Sequence, residues 1–245
     1  MSNIQIEGKN PVLEALRSRR QPEKIYILAS LKNDARIDEI LSFVKGLRTP
    51  FFLVDRKTLD HISKTNLHQG VIGFFTNLPS LSLQNLVEKL GLKISSSFFV
   101  LLTEIEYEQN LGAMLRTAEA AGVAAIVIPP SSKGVTPVVE RVSMGAASLV
   151  PVISESLFPA LKIFKKWGFK IIGLDEKAPK NYYDEDLRGP LVFVVGGESK
   201  GITFPVRKRC DVLVKIPQKG KISSLNLSVA CGIVVFEKMR QETKR

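Results

Sequence analysis

From residue 98 onward the chain alternates short, continuously apolar runs with segments of helical spacing, and this alternation restricts the fold more than any other feature. Residues 98–103 are apolar up to the final Thr103. A strand with one face in water would alternate polar and apolar side chains; a continuous run suits a strand covered on both faces, as in a parallel sheet. Residues 110–121 follow as a helix, 124–128 as a strand, 135–143 as a helix and 149–153 as a strand. Residues 158–167 read as a helix, with 170–174 and 191–195 as strands. Residues 206–210, 212–216 and 225–239 continue the alternation. Repeated strand–helix units of this kind predict an α/β fold with a mostly parallel sheet clothed by helices. No internal repeat is evident.

The first part reads as a separate, smaller α/β unit. Residues 10–20 predict a helix with Val12, Leu13, Ala15 and Leu16 on its apolar face, Pro11 in its first turn and Asn10 as its N-cap. A strand is expected at 24–29 and a helix at 34–47, with Ile37, Ile40, Leu41 and Val44 at helical spacing. Another strand at 51–54, a short helix at 58–65 and a strand at 70–75 complete the unit. Pro79 and the serines around it favour a loop, residues 81–90 predict a helix across it, and Ser95-Ser96-Ser97 marks the next boundary. The expected organisation is residues 1–76, a junction at 77–97, and residues 98–245.

Charge narrows the partners. The formal net charge is +11, which attracts polyanions, nucleic acid first and a membrane surface second. No apolar stretch is long enough to span a bilayer. Cys210 and Cys231 are the only cysteines and have no CxxC spacing; His61 and His68 are the only histidines. No disulfide framework and no metal site are expected. The first residues lack a basic segment followed by an apolar run, and a reducing cytoplasmic location is expected.

Three segments carry chemistry. The first opens the helix after the 98–103 strand: Asn110 stands at its start as a natural N-cap, and Arg116 follows six residues on among small and apolar neighbours. An arginine there points to solvent or is held for an anion. The second is Gly196-Gly197-Glu198-Ser199-Lys200-Gly201, directly after a predicted buried strand. Adjacent glycines permit positive φ and close backbone approach, and the carboxyl end of a parallel strand is where open α/β sheets bind ligands. Ile202 stands where a phosphate-binding loop would need lysine, and no GxGxxG is present. The third runs from Ile216-Pro217-Gln218 through a basic loop to Ser224-Leu225-Asn226, where a helix begins. Ser224 and Asn226 are capping residues, and free N–H groups at such a start bind acceptors.

In order and spacing these segments resemble the three motifs of the SpoU (TrmH) RNA 2′-O-methyltransferases. The motif asparagine and arginine fall on Asn110 and Arg116, the glycine-flanked glutamate on Gly196, Glu198 and Gly201, continuing to Cys210-Asp211 and Ile216-Pro217, and the Ser-Leu-Asn on Ser224, Leu225 and Asn226. Gly8-Lys9-Asn10-Pro11-Val12, Glu14-Ala15-Leu16 and His68-Gln69-Gly70-Val71 resemble the N-terminal RNA-binding domain of bacterial members that modify large-subunit rRNA. Two departures stand out. Gln218 replaces a common methionine, and Glu108-Gln109 replaces Asp-Pro before Asn110.

The resemblance implies methyl transfer from S-adenosylmethionine to a ribose 2′-OH of structured RNA, most simply a guanosine of large-subunit rRNA, with tRNA as the alternative. It implies that Arg116 acts at the 2′-OH, with Asn110, Glu198, Ser224 and Asn226 as further catalytic-site residues. Gly196, Gly197, Ile216 and Leu225 are expected to contact the cofactor. It also implies a trefoil knot in the second domain and a homodimer with the site near its interface. A guanidinium rarely gives up its proton, so Arg116 is expected to bind the adjacent phosphate and stabilise developing alkoxide charge. The rival readings are a non-catalytic RNA-binding protein, which would not need these polar residues together, and an ordinary Rossmann enzyme, disfavoured by the missing GxGxxG. Arg17, Arg19 and Arg20 at the end of the first helix are either RNA contacts or a solvated face.

Overall fold

The computed structural model describes residues 3–31, 34–77, 81–197, 201–220 and 224–243. Its first unit runs β1 (Asn3–Glu7), α1 (Lys9–Arg17), β2 (Pro22–Leu28), α2 (Ala35–Gly46), β3 (Phe51–Val54), α3 (Arg56–Ile62) and β4 (Val71–Thr76). The sheet order is β1-β4-β2-β3, antiparallel except for the β2–β3 pair. Helix starts are set by short polar side chains. Asp34 accepts from the Arg36 and Ile37 amides at 3.0 and 3.4 Å, and Asp55 from the Thr58 amide at 2.9 Å. The apolar faces of α1 and α2 close over the sheet, burying Val12, Leu13, Leu16, Ile37, Ile40 and Val44 against Ile6, Ile25, Ile27 and Phe75.

The chain continues through α4 (Leu83–Leu90), β5 (Phe98–Leu102), α5 (Glu108–Ala121), β6 (Ala125–Ile128), α6 (Pro137–Val142), β7 (Val152–Ser154), α7 (Leu157–Lys166), β8 (Lys170–Leu174), β9 (Lys180–Asn181), β10 (Leu191–Val195), α8 (Phe204–Arg207), β11 (Val212–Lys215) and α9 (Leu227–Thr243). Seven of these strands form an all-parallel sheet of order β7-β6-β5-β10-β8-β11-β9. β5 and β10 are buried along their whole length, as expected of central parallel strands. The core centres on Phe99, Phe164 and Phe169, whose ring centroids lie 5.0 to 5.5 Å apart, a spacing that favours tilted and edge-on aromatic contacts.

Several elements differ from expectation. β1 was not read from the sequence, although Ile4 and Ile6 alternate with polar neighbours and pair with β4. The expected junction contributes α4, whose Leu83 and Val87 are fully buried in the second core. Residues 135–149, including α6, group with the first unit, while residues 80–134 and 150–245 form the second. β7 begins at Val152, and Pro151, which has no N–H to donate, still accepts from the Ile126 amide at 3.0 Å. Residues 206–210 supply the end of the short helix α8 and the turn after it. α1 begins at Lys9 with Gly8, at φ 101°, before it, so Asn10 is not its cap.

Two of the three arginines at the end of α1 are held by carboxylates, while Arg19 is exposed. Arg20 is buried and its Nη1 donates to Glu140 Oε1 at 2.6 Å, within the same unit. Arg17 is shared between Glu39 and Glu14. Burial pushes the Glu140 carboxyl above the ordinary carboxylate value, and Arg20 offsets this only in part.

Candidate active site

Polar groups of the three motif segments lie at the carboxyl edge of the second unit's sheet. A cavity of about 630 Å³ opens there, within the range of small-molecule sites. Its walls come from the chain leaving β8 (Leu174 to Lys177), the turn after β10 (Gly196, Gly197, Gly201 and Ile202), and the segment from β11 into α9 (Ile216, Gln218 and Ser224 to Leu227). This is the strand edge at which open parallel sheets bind ligands.

The turn after β10 depends on missing side chains. A Cβ on Gly196 would stand 2.2 Å from the Gly201 carbonyl carbon, and one on Gly197 would stand 2.4 Å from Glu104 Oε2. Gly201 N–H donates to Gly197 O at 2.9 Å, and Gly197 N–H donates to Thr103 Oγ1 at 3.1 Å. The turn therefore folds back on itself and is tied to β5. Of its glycines only Gly201, at φ 57°, has a left-handed backbone. Gly196 and Gly197 are required for close approach, not for positive φ. Glu198 lies outside the described residues.

Two asparagines join the first and third motifs. Asn226 Nδ2 donates to Asn110 Oδ1 at 3.0 Å. Asn226 Oδ1 accepts from the Ser228 and Val229 amides at 2.9 and 3.4 Å, which makes Asn226 the cap of α9. Ser224 lies before the helix and lines the cavity. Asn110 does not cap α5. The helix begins at Glu108 with Tyr107 before it, and Asn110 is buried inside the first turn. There its side chain bonds Asn226 at the start of α9, which packs along α5.

Arg116 is exposed and outside the cavity lining. Six residues on a helix turn it well away from Asn110, and Asn110 and Asn226 bond each other. Gly196, Gly197, Ile216, Ser224, Leu225 and Asn226 are thus brought together, with Asn110 attached through Asn226 and Arg116 apart.

Sequence reasoning missed the wall at Leu174 to Lys177. There Asp175 Oδ2 accepts from Arg207 Nε at 2.8 Å and Asp175 Oδ1 from the Lys177 amide at 2.9 Å. The available signal was the carboxyl end of the predicted 170–174 strand, next to the glycine turn in a parallel sheet. Neither cysteine offers a base. Burial pushes the Cys210 thiol up to about 11 and the Cys231 thiol up to about 12, so both are protonated at neutral pH.

Comparison with known proteins gives two family matches. Residues 97–236 match the SpoU rRNA Methylase family, and residues 5–81 match the RNA 2′-O ribose methyltransferase substrate binding family. The 23S rRNA (guanosine-2′-O-)-methyltransferase RlmB of Shewanella oneidensis is 37% identical over 91% of this chain and 92% of its own length. A crystal structure of an AdoMet-bound rRNA methyltransferase from Sinorhizobium meliloti has the same fold, with a TM-score of 0.81 at 22% identity over 97% of this chain and 87% of that one. The A. aeolicus TrmH/SpoU tRNA modifying enzyme reaches a TM-score of 0.56 at 26% identity, over 64% of this chain and 83% of its own.

Proposed function

The chain belongs to the SpoU family of RNA methyltransferases, and from that premise we propose that its substrate is a guanosine of large-subunit rRNA, methylated at the ribose 2′-OH. It is an S-adenosylmethionine-dependent RNA 2′-O-methyltransferase. The observation that carries the reading is the single cavity formed by Gly196, Gly197, Ile216, Ser224, Leu225 and Asn226. rRNA is favoured over tRNA because the rRNA-modifying relative aligns along nearly all of this chain, whereas the tRNA-modifying structure matches only part of it. The protein acts in the cytoplasm, where that RNA is made.

The cavity suits the cofactor. Its glycines Gly196, Gly197 and Gly201 let a ligand approach the backbone, and Leu174, Val195, Ile216, Leu225 and Leu227 offer apolar surface for a flat base. When bound, S-adenosylmethionine supplies an electrophilic methyl group on a sulfonium. Ser224 and the amides of the capped α9 start hold polar groups at the cavity rim, and the Asn226–Asn110 bond fixes the third loop against α5. Arg116 binds the phosphate next to the target ribose with a planar fork of donors and stabilises charge as the 2′-oxygen loses its proton.

Arg116 stands outside the cavity, and α5 and α9 pack together with Tyr107, Val229, Phe236 and Met239 exposed. A homodimer through these helices covers that apolar surface and brings Arg116 into a shared site. A trefoil knot in the second domain belongs to the same reading.

The test is methylation of an unmodified large-subunit rRNA transcript, mapped by mass spectrometry. The parent should place one methyl group on a guanosine ribose. Arg116→Ala should lose about 10²–10³-fold in turnover, the scale of removing a donor aimed at developing charge, with its fold and cofactor binding retained. Transfer to tRNA alone would overturn the rRNA reading, and near-parent turnover in the variant would overturn the role of Arg116.

A further inference from the structure

The two N-terminal motifs, Gly8 to Val12 and His68 to Val71, take no part in the site above. Within the first unit they converge on a second cavity, of about 550 Å³. Pro11, Leu28, Leu67 and Met144 give it apolar walls. Its Glu7 and His68 side chains are already engaged. The Glu7 carboxylate takes bonds from Ser63, Lys64 and Thr65, and His68 is engaged through both ring nitrogens, with Asp60 and with the Gly70 amide.

What remains is donors. Arg141 lines the cavity with its Nε buried and without a hydrogen-bond partner among the described residues. Gln69 spends its Oε1 on the Lys9 amide at 3.3 Å, which leaves its NH₂ group for a ligand. A buried guanidinium donor left unpaired is costly and calls for a partner. The backbone is also held in sparsely populated states here. Gln69 and Met144 are non-glycine residues at φ 51° and 56°, and both line the cavity. Such conformations persist where the surrounding structure holds a site in shape.

We propose that this cavity takes up one unstacked nucleotide of the substrate RNA and reads an acceptor-rich base edge, such as guanine O6 and N7, with Arg141 and Gln69. A guanidinium fork matches paired acceptors on one edge. A base fills the apolar walls that a lone phosphate would leave empty, and unstacked bases are what sequence-specific RNA readers capture. The inference rests on RNA being the substrate, as proposed above, and adds where a nucleotide beyond the reacting one is held.

The experiment measures binding of the full-length protein to an unmodified large-subunit rRNA transcript by filter retention over a range of KCl concentrations. Arg141→Gln removes the fork. Leu67→Trp, at an exposed position on the cavity, narrows it without changing charge. Both variants should bind the RNA at least about tenfold more weakly with the parent's salt slope, since a base contact releases no counterion. Thermal midpoint and S-adenosylmethionine affinity should match the parent. Parent-like RNA affinity in Arg141→Gln would overturn the proposal. So would a loss accompanied by a salt slope lower by about 1, the mark of a phosphate contact. A parent that binds the RNA but transfers no methyl group would sink the methyltransferase reading and leave this binding comparison standing.

Discussion

The two units use their buried polar groups differently. In the first, they are turned inward on the fold itself: Glu7 is fully buried and ties β1 to residues 63–65, Arg20 is buried against Glu140, and Lys9 is held by Asp34. In the second, the sheet interior is apolar and a polar-walled cavity opens at the carboxyl edge, and its one fully buried charge among the described residues is Lys238, which donates to Leu187 O and Gly189 O. A small mixed sheet has little apolar area, so its specificity leans on buried polar contacts. A seven-stranded parallel sheet has apolar area to spare and leaves its strand ends for ligands. A basic residue in the first unit is therefore poor evidence of an RNA contact until its carboxylate partners are known.

The sharpest way to break this contrast is at Glu140. Glu140→Ala leaves Arg20 buried without its partner, and removal of one member of a buried pair costs about 3–5 kcal/mol. Chemical denaturation should show the first unit losing that much stability while the second unit's unfolding and its S-adenosylmethionine binding stay close to the parent.

Gly196→Ala probes the opposite unit. The added methyl meets the Gly201 backbone, which cannot rotate away, so the turn must shift. Calorimetry should show cofactor affinity falling at least about tenfold, equivalent to about 1.4 kcal/mol, with the thermal midpoint of the first unit unmoved.

Acid separates the units by a smaller amount. Burial alone would raise the Glu7 carboxyl, but hydrogen bonds from Ser63, Thr65 and the Lys64 amide outweigh it and hold it below the ordinary value of 4.5. The folded value is depressed, so Glu7 stabilises the first unit above about pH 4.5, and that contribution is lost as pH falls through the folded value. Melting from pH 7 to pH 3 should show a destabilisation that is reduced in Glu7→Gln. An identical acid profile in the variant would remove Glu7 from the account.

The smallest effect is expected at Arg17, an exposed residue shared between two glutamates. Arg17→Ala should cost about 0.2–1 kcal/mol and leave rRNA affinity unchanged. A marked loss of binding would show that its carboxylates release it to the RNA.

The parts of the candidate site that are legible in the sequence are the local ones. The glycine turn after a buried strand, the capping asparagine before α9 and the Ile216 loop each show in a short stretch, because turn geometry and caps depend on a few adjacent residues. A role that depends on what lies opposite is not legible there. Asn110 has the sequence look of a helix cap, yet its side chain faces α9 and bonds Asn226. Arg20 looks like a surface cation, yet residues 135–149, more than a hundred positions along the chain, enclose it.

The sequence by itself determined the α/β class, the parallel character of the second sheet, the small first unit and the three motif segments. Each follows from apolar periodicity and local backbone preference. Only the tertiary structure decided that Asp175 and its neighbours form a wall of the cavity, that Arg116 stands outside it, and that Arg141 joins the Gly8 and His68 motifs around a second one. Those are facts of which strands lie side by side and which loops cross. They are set by long-range packing of apolar faces, and a run of adjacent residues carries no record of what will pack against it.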